Sequence, residues 1–329
     1  MMVRVGALDH PVARSSHTVP TPKGGGVGIV AAMVLGGLWF GHAAGPAAIA
    51  VPLAALFLGV ISYLDDLYNW PFLAKLAAQV AAAAGFMAAG GVVRSLNLPP
   101  FGVVDLGIAG PVLTLGWILF VTNAVNFMDG LNGLASGSVA LAGLAFLVTA
   151  PASMGVLALP MVAGIAGFLP FNYPSARIFM GDVGSQPAGF AVSALVVLGA
   201  SGGPQQGALM LVAVPLVLLP MLADVAFTLV RRARSGARLT QAHRSHLYQV
   251  ANRAGMPAWR VTLIYWGMAA GCGALGLWAS GAAMASFASG TAGAGVIILA
   301  ASGAAALTGF GLWALYVARR AARAGITVW

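Results

Sequence analysis

Residues 46–71 read PAAIAVPLAALFLGVISYLDDLYNWP. No charge interrupts the stretch until Asp65 and Asp66 stand side by side. A helix needs about 20 mostly apolar residues to cross a hydrocarbon core, and this run supplies them. The acidic pair falls where a helix C-terminus disfavours negative charge. A helix end that needed only solvation would be better served by a cation, so the pair points to chemistry. Neighbours on a helix project roughly 100° apart, so the two carboxylates cannot address one point equally. One can serve a metal while the other accepts a proton.

The same apolar pattern recurs outward in both directions. The chain has 329 residues, 60% hydrophobic and only 7% charged, with a mean hydropathy of +0.92. Soluble domains carry about 25% charged residues, so lipid is the solvent for most of this surface. Ten segments qualify as spans: roughly 25–41, 46–64, 71–91, 108–127, 133–150, 153–171, 184–200, 206–230, 261–280 and 292–317. The predicted fold is an all-α polytopic transmembrane bundle, one membrane-embedded domain over 1–329 with a basic loop at 231–260 inside it. Pro52, Pro160 and Pro215 are expected within helices, as membrane bundles tolerate. Cys272 lies in an apolar run and reads as a packing residue. Met1 to Lys23 has no apolar core, so no cleavable signal is expected there.

Charge fixes the expected orientation. Sixteen Lys and Arg outnumber seven acids, giving +9. Ten spans place both termini on one side, and if that side is cytoplasmic every basic residue except Arg94 falls inside. That asymmetry fits the positive-inside rule. The basic excess speaks for anionic headgroups rather than nucleic acid, since aromatics do not interleave with it on a soluble domain.

All seven acids are aspartates. On this topology Asp9, Asp65, Asp66, Asp129 and Asp182 gather at cytoplasmic helix mouths, Asp224 lies about two turns inside a span, and Asp105 is outside. Acids near membrane depth are costly and usually functional. In NAVNFMDGLNGLA, Asn123, Asn126, Asp129 and Asn132 recur every three residues, which on a helix would form one stripe; a polar interhelical seam is the plain alternative. Oxygen-only ligands suit Mg²⁺ or Mn²⁺ rather than zinc. FMGDVGSQ places Asp182 at a helix start, near Arg177. QAHRSHLYQ carries His243 and His246 around Arg244, a set able to grip phosphate, or else a headgroup-facing basic loop. His42 falls in the opposite connection. GGGVG after Lys23 lacks the βαβ context of a dinucleotide site and reads as a tight turn into the first helix, with Lys23 and His17 at its mouth.

The ordered motifs DHPVARSSH, PTPKGGG, LDD, NAVNFMDGLNGLA, FMGDVGS and HRSH resemble the polyprenyl-phosphate sugar-1-phosphate transferases over nearly the whole chain. That family includes the common-antigen-initiating enzymes and the muramoyl-pentapeptide translocases. The resemblance implies Mg²⁺-dependent (or Mn²⁺-dependent) transfer of a sugar phosphate from a UDP-activated amino sugar to polyprenyl phosphate, releasing UMP. It implies the bacterial cytoplasmic membrane, an active site on the cytoplasmic face and a role in cell-wall or O-antigen biogenesis, with a homodimer as the assembly considered. It further implies that Asp65, Asp66 and Asp129 are catalytic and that Asn126 and Asp182 hold the metal. Lys23, Asn123, Asn132, Arg177, His243, Arg244 and His246 would bind substrate.

Three departures bear on this expectation. Asn132 replaces the family's second aspartate in DGxDGL. HRSH replaces a run of three histidines, pointing away from the muramoyl branch. Many relatives carry a helix before the DHP motif, so either the start lies late or ten spans suffice. The readings from other classes are an ion-coupled transporter, which calls for a mid-membrane Asp/His relay, and a purely structural lipid-binding protein.

Overall fold

Lipid cannot satisfy backbone N–H and C=O groups, so a chain this apolar must satisfy them within helices. A computed structural model describes residues 8–9, 20–68, 70–97, 102–150, 152–200, 204–238, 240–241 and 243–326. Its helices are α1 (Gly26–Gly41), α2 (Pro46–Tyr68), α3 (Phe72–Ala88), α4 (Ala109–Phe127), α5 (Leu134–Thr149), α6 (Ala152–Gly155), α7 (Leu159–Asn172), α8 (Asp182–Ala200), α9 (Pro204–Arg234), α10 (Leu247–Arg253), α11 (Ala258–Ala288) and α12 (Ala292–Arg323). Two short antiparallel pairs accompany them: β1 (Leu8–Asp9) with β2 (Thr21–Pro22), and β3 (Ser95–Asn97) with β4 (Val103–Asp105).

Among the described residues six helices are long and apolar enough to cross a membrane, and α1, α3, α5 and α7 are shorter apolar helices beside them. Each expected segment has its helix, with three corrections. The segment at 153–171 is broken, because a turn at 156–158 separates α6 from α7. Pro160 sits at the start of α7, where its missing N–H costs nothing, and is not inside a helix; Pro52 and Pro215 are. The basic connection is shorter than 231–260, since α9 continues to Arg234, α10 folds within the loop and α11 begins at Ala258.

At the centre stands α8, packed by α1, α2, α4, α5 and α9. Every residue from Val183 to Gly199 is buried. Small residues permit this closeness: a Cβ on Gly26 would lie 2.3 Å from Gly184 N, and one on Gly189 would lie 2.9 Å from Thr122 Cα. The outer helices instead expose large apolar side chains such as Trp39, Leu35 and Ile297, the surface that lipid covers. A second group joins α11 to α9, α12 and α5. The β3–β4 hairpin follows the C-terminal end of α3, roughly 25 Å from the helix's start at 1.5 Å per residue.

Candidate functional site at one end of the bundle

Three helix ends meet around Lys75, near the start of α3. Its ammonium pairs with the carboxylate of Asp65, at the end of α2, and lies 3.1 Å from Asp182 Oδ2, at the start of α8. Trp70 N–H donates to Asp65 Oδ1 at 2.9 Å, which pins the α2–α3 turn against the same carboxylate. Asp65 is thus buried and fully engaged, while Asp66 is exposed. The two neighbouring carboxylates thus stand in different surroundings.

Asp182 is the hub. Asn126 Nδ2 donates to its Oδ1 at 2.9 Å and also lies 2.9 Å from Ser185 Oγ. Gln186 Nε2, one turn along α8, reaches Oδ2 at 3.4 Å. Behind it runs an amide ladder: Gln79 Nε2 donates to Gln186 Oε1 at 3.2 Å, and Asn123 Nδ2 donates to Gln79 Oε1 at 2.7 Å. Asn123 also caps Leu119 O, so it braces α4 against α3 within the bundle. Sequence reasoning treated Lys75 as one more cytoplasmic charge and passed over Gln79, Ser185 and Gln186. The usable signal was spacing, since Lys75 and Gln79 share a face of an otherwise apolar helix, as do Asp182 and Gln186.

The stripe from Asn123 to Asn132 is a misreading. The helix stops at Phe127, and residues 128–133 turn away, with Gly133 at φ 76°. Asp129 therefore leaves the helix axis and meets the Gly181 backbone beside Asp182. Burial first, then the Asp182 charge, hold its carboxyl well above the usual range, against the pull of the Gly181 hydrogen bond. Asn132 holds the turn: its Nδ2 donates to Pro174 O at 3.1 Å, and its carbonyl accepts from Thr262 Oγ1 at 2.9 Å. An aspartate there would set a carboxylate against a carbonyl, which explains the amide. Asn172 fastens the next link, accepting from Gly133 N and donating to Ile178 O.

The histidine loop lies on the other side of Asp129. His243 and His246 are not on one helical face, because α10 starts only at Leu247, yet their rings lie 4.8 Å apart. His246 stacks on Tyr248, and Tyr248 Oη donates to Phe127 O at 2.8 Å. The hydroxyl occupies the space a side chain on Gly130 would need, 2.2 Å from its Cβ position. Burial, then His246 and Arg232, lower the His243 pKa to about 4. The Arg244 backbone carbonyl accepts from Arg253 Nη1 at 3.3 Å. Arg177 is exposed and gives its backbone N–H to Phe171 O. Among the described residues neither arginine pairs with an aspartate. Lys23 enters through its backbone, bridged to Phe179 next to the FMGD turn, and Gly24 at φ 110° opens α1 as the glycine run predicts. His17 and the motif from His10 to Arg14 lie outside the described residues.

Among the described residues no three His, Cys, Asp or Glu side chains are grouped to hold a metal. Mg²⁺ does not require such a cage, since it keeps waters and takes one or two carboxylates plus substrate phosphates. Asp182 with Asn126 matches that sparse, all-oxygen type once the amide presents its oxygen.

Comparison with known proteins places the chain in a family. Residues 48–200, which span α2 to α8, match Glycosyl transferase family 4. A Bacillus subtilis protein named a probable undecaprenyl-phosphate N-acetylglucosaminyl 1-phosphate transferase is 30% identical over 253 residues, 75% of this chain and 70% of the relative. A decaprenyl-phosphate N-acetylglucosaminephosphotransferase of Mycobacterium tuberculosis is 30% identical over 296 residues, 79% and 72% of the two chains. A phospho-N-acetylmuramoyl-pentapeptide-transferase of Listeria monocytogenes is 30% identical over 269 residues, 75% and 80%. With the aspartate motifs gathered at one end of a helical membrane bundle, and relatives aligned over most of their length, the chain belongs to glycosyl transferase family 4.

Proposed function

We propose that the protein transfers an N-acetylhexosamine 1-phosphate from a UDP-sugar to a polyprenyl phosphate, releasing UMP, at the cytoplasmic face of a bacterial inner membrane. The observation that carries the reading is the junction of Asp65, Lys75, Asn126 and Asp182 at four helix ends, with Asp66 exposed beside it. A membrane-embedded substrate and a water-borne one can meet only at such a mouth. The relatives' names supply the substrate class.

In the reaction a lipid phosphate oxygen attacks the sugar-bearing phosphorus of the donor. One P–O–P bond forms as the bond to the UMP phosphate breaks, so the protein supplies alignment and charge shielding rather than driving force. Asp66, exposed at the mouth, takes the proton of the lipid phosphate. Lys75 screens Asp65 and Asp182 from each other and from the arriving anions. Asp182 and Asn126 would hold Mg²⁺, or Mn²⁺, which when bound supplies positive charge to the donor diphosphate. Asp129, held at the Gly181 backbone beside Asp182, acts on the nucleotide side. The histidine loop, with Arg244, closes that side, and a neutral His243 offers a ring nitrogen rather than a charge.

Radiolabelled UDP-N-acetylglucosamine and undecaprenyl phosphate in detergent micelles test this directly. Labelled lipid should form only with divalent metal present, and Asp182→Ala should abolish it while the protein still purifies. Activity that survives EDTA would remove the metal from the proposal. The second reading, a muramoyl-pentapeptide donor, has a relative behind it. It would replace the first if only that donor were used. HRSH in place of three histidines favours the N-acetylhexosamine.

A further inference from the structure

Asp224 is a carboxylate with no exposed surface, within the α9 span, and none of the steps above uses it. Its surroundings show what it holds. Oδ1 accepts from Leu247 N at 2.8 Å and from Thr228 Oγ1 at 3.2 Å; Oδ2 accepts from Tyr248 N at 3.1 Å and from Tyr265 Oη at 2.5 Å. Trp313 Nε1 donates to the same Tyr265 hydroxyl at 3.2 Å, so α9, α11 and α12 together fix the carboxylate's place. His246 Nδ1 lies 3.5 Å from Oδ1, inside the protein.

Two of these donors distinguish the arrangement from a simple tie between helices. Leu247 and Tyr248 are the first two residues of α10, directly after His246. Their N–H groups are among those a helix cannot satisfy itself. A side chain from a different helix accepts both and thereby sets where α10 begins. The consequence reaches the aspartate side. Tyr248, held at its N–H by Asp224, donates its hydroxyl to Phe127 O, just before Asp129, and fits the gap left by Gly130. Its ring stacks on His246, which also faces Phe127.

We infer that Asp224 is a positioning residue: it anchors the start of α10 so that His246 and Tyr248 are held in register with the Asp129 turn. The inference rests on the proposed reaction for its functional consequence and on the fold alone for the anchoring. A carboxylate is the right group because it only accepts, and here it faces two N–H groups and two hydroxyls. An amide would turn an NH₂ toward one N–H and one hydroxyl, whichever way it lay.

Hydrogen exchange and steady-state kinetics on the full chain in detergent micelles test both halves. Asp224→Asn should speed exchange of the Leu247 and Tyr248 amides by about 10-fold or more. It should raise KM for UDP-N-acetylglucosamine by about 20-fold or more, while KM for undecaprenyl phosphate stays within about two-fold of wild type. Asp224→Glu, which keeps an acceptor-only group, should recover part of the donor KM. Unchanged exchange in Asp224→Asn overturns the anchoring. Faster exchange with an unchanged donor KM, or an equal loss for both substrates, overturns the positioning role. Should Asp224→Asn not fold, Tyr248→Phe keeps the ring and removes only the link to Phe127, and should raise the donor KM by about 5-fold; an unchanged KM there overturns the link. Wild-type protein that turns over no UDP-sugar would refute the proposed reaction instead, and the exchange measurement would still decide the anchoring.

Discussion

Asp65 and Asp66 adjoin in sequence, but one is buried against Lys75 and the Trp70 N–H while the other faces the open mouth. Charge removal should therefore have different effects at the two positions. Asp65→Asn breaks a charge-assisted network worth about 1.5–3 kcal/mol per bond, so the thermal midpoint in detergent should fall together with activity. Asp66→Asn should leave the midpoint nearly unchanged and lower turnover at least about 100-fold, the scale of a lost proton acceptor. Equal, few-fold losses would return the pair to mere helix-end solvation. His243 gives the pH dependence. Its folded pKa, about 4, lies below the ordinary value of 6.5, so between those values the unfolded chain binds the extra proton. Stability should be free of this cost above pH 6.5, fall as the pH drops toward 4, and change no further below it. His243→Asn should flatten that part of an unfolding-versus-pH curve. The aspartates themselves were legible from sequence, because acids are so rare here that each one needs a reason. Lys75 was not, because a lysine near a helix end has an ordinary explanation in lipid headgroups, and only the fold shows two carboxylates beside it.

Each span was legible as an element, since the period and length of an apolar run are local properties. Where α4 stops was not, because Asn and Asp at three-residue spacing suit a helix and a turn alike. The decision lies in Gly130, which must admit the Tyr248 hydroxyl, and in Gly133, whose positive φ favours glycine. The α1–α8 contact makes a sharper test of close approach. Gly26→Ala would drive a methyl to within 2.3 Å of the Gly184 backbone; backbone cannot rotate away, so α1 must shift. A loss of about 1–3 kcal/mol should appear as a lowered unfolding midpoint, and turnover should fall too because Asp182 opens the same helix. Gly28→Ala is the control. Nothing lies within 4 Å of its Cβ position, so the midpoint should hold or rise slightly, as removing helix glycines tends to do.

Across the whole molecule, topology follows from the helix ends that meet. Asp65, Lys75, Asn126 and Asp182 bond to one another, so they share a face, while the Asp105 hairpin sits at the far end of α3. In inside-out and right-side-out vesicles, single cysteines beside Asp66 and Asp182 should react from one side, and one at Gly107 only from the other. Labelling of all three from one side would refute the arrangement. Charge counting expects the same separation, because lysine and arginine record the side on which a loop stays. It could not foresee which spans surround which, since contact partners depend on glycine notches and amide pairs spread along the chain. The enclosure of α8 has a consequence for biogenesis. A helix that touches no lipid, and carries Ser185, Gln186 and Ser193 along its length, is retained by its neighbours rather than by the bilayer. Four of those neighbours, α1, α2, α4 and α5, leave the ribosome before it, but α9 comes after. A nascent chain halted just beyond Ala200 would hold α8 with one side open, a natural point for chaperone engagement or degradation until the next span arrives to close it.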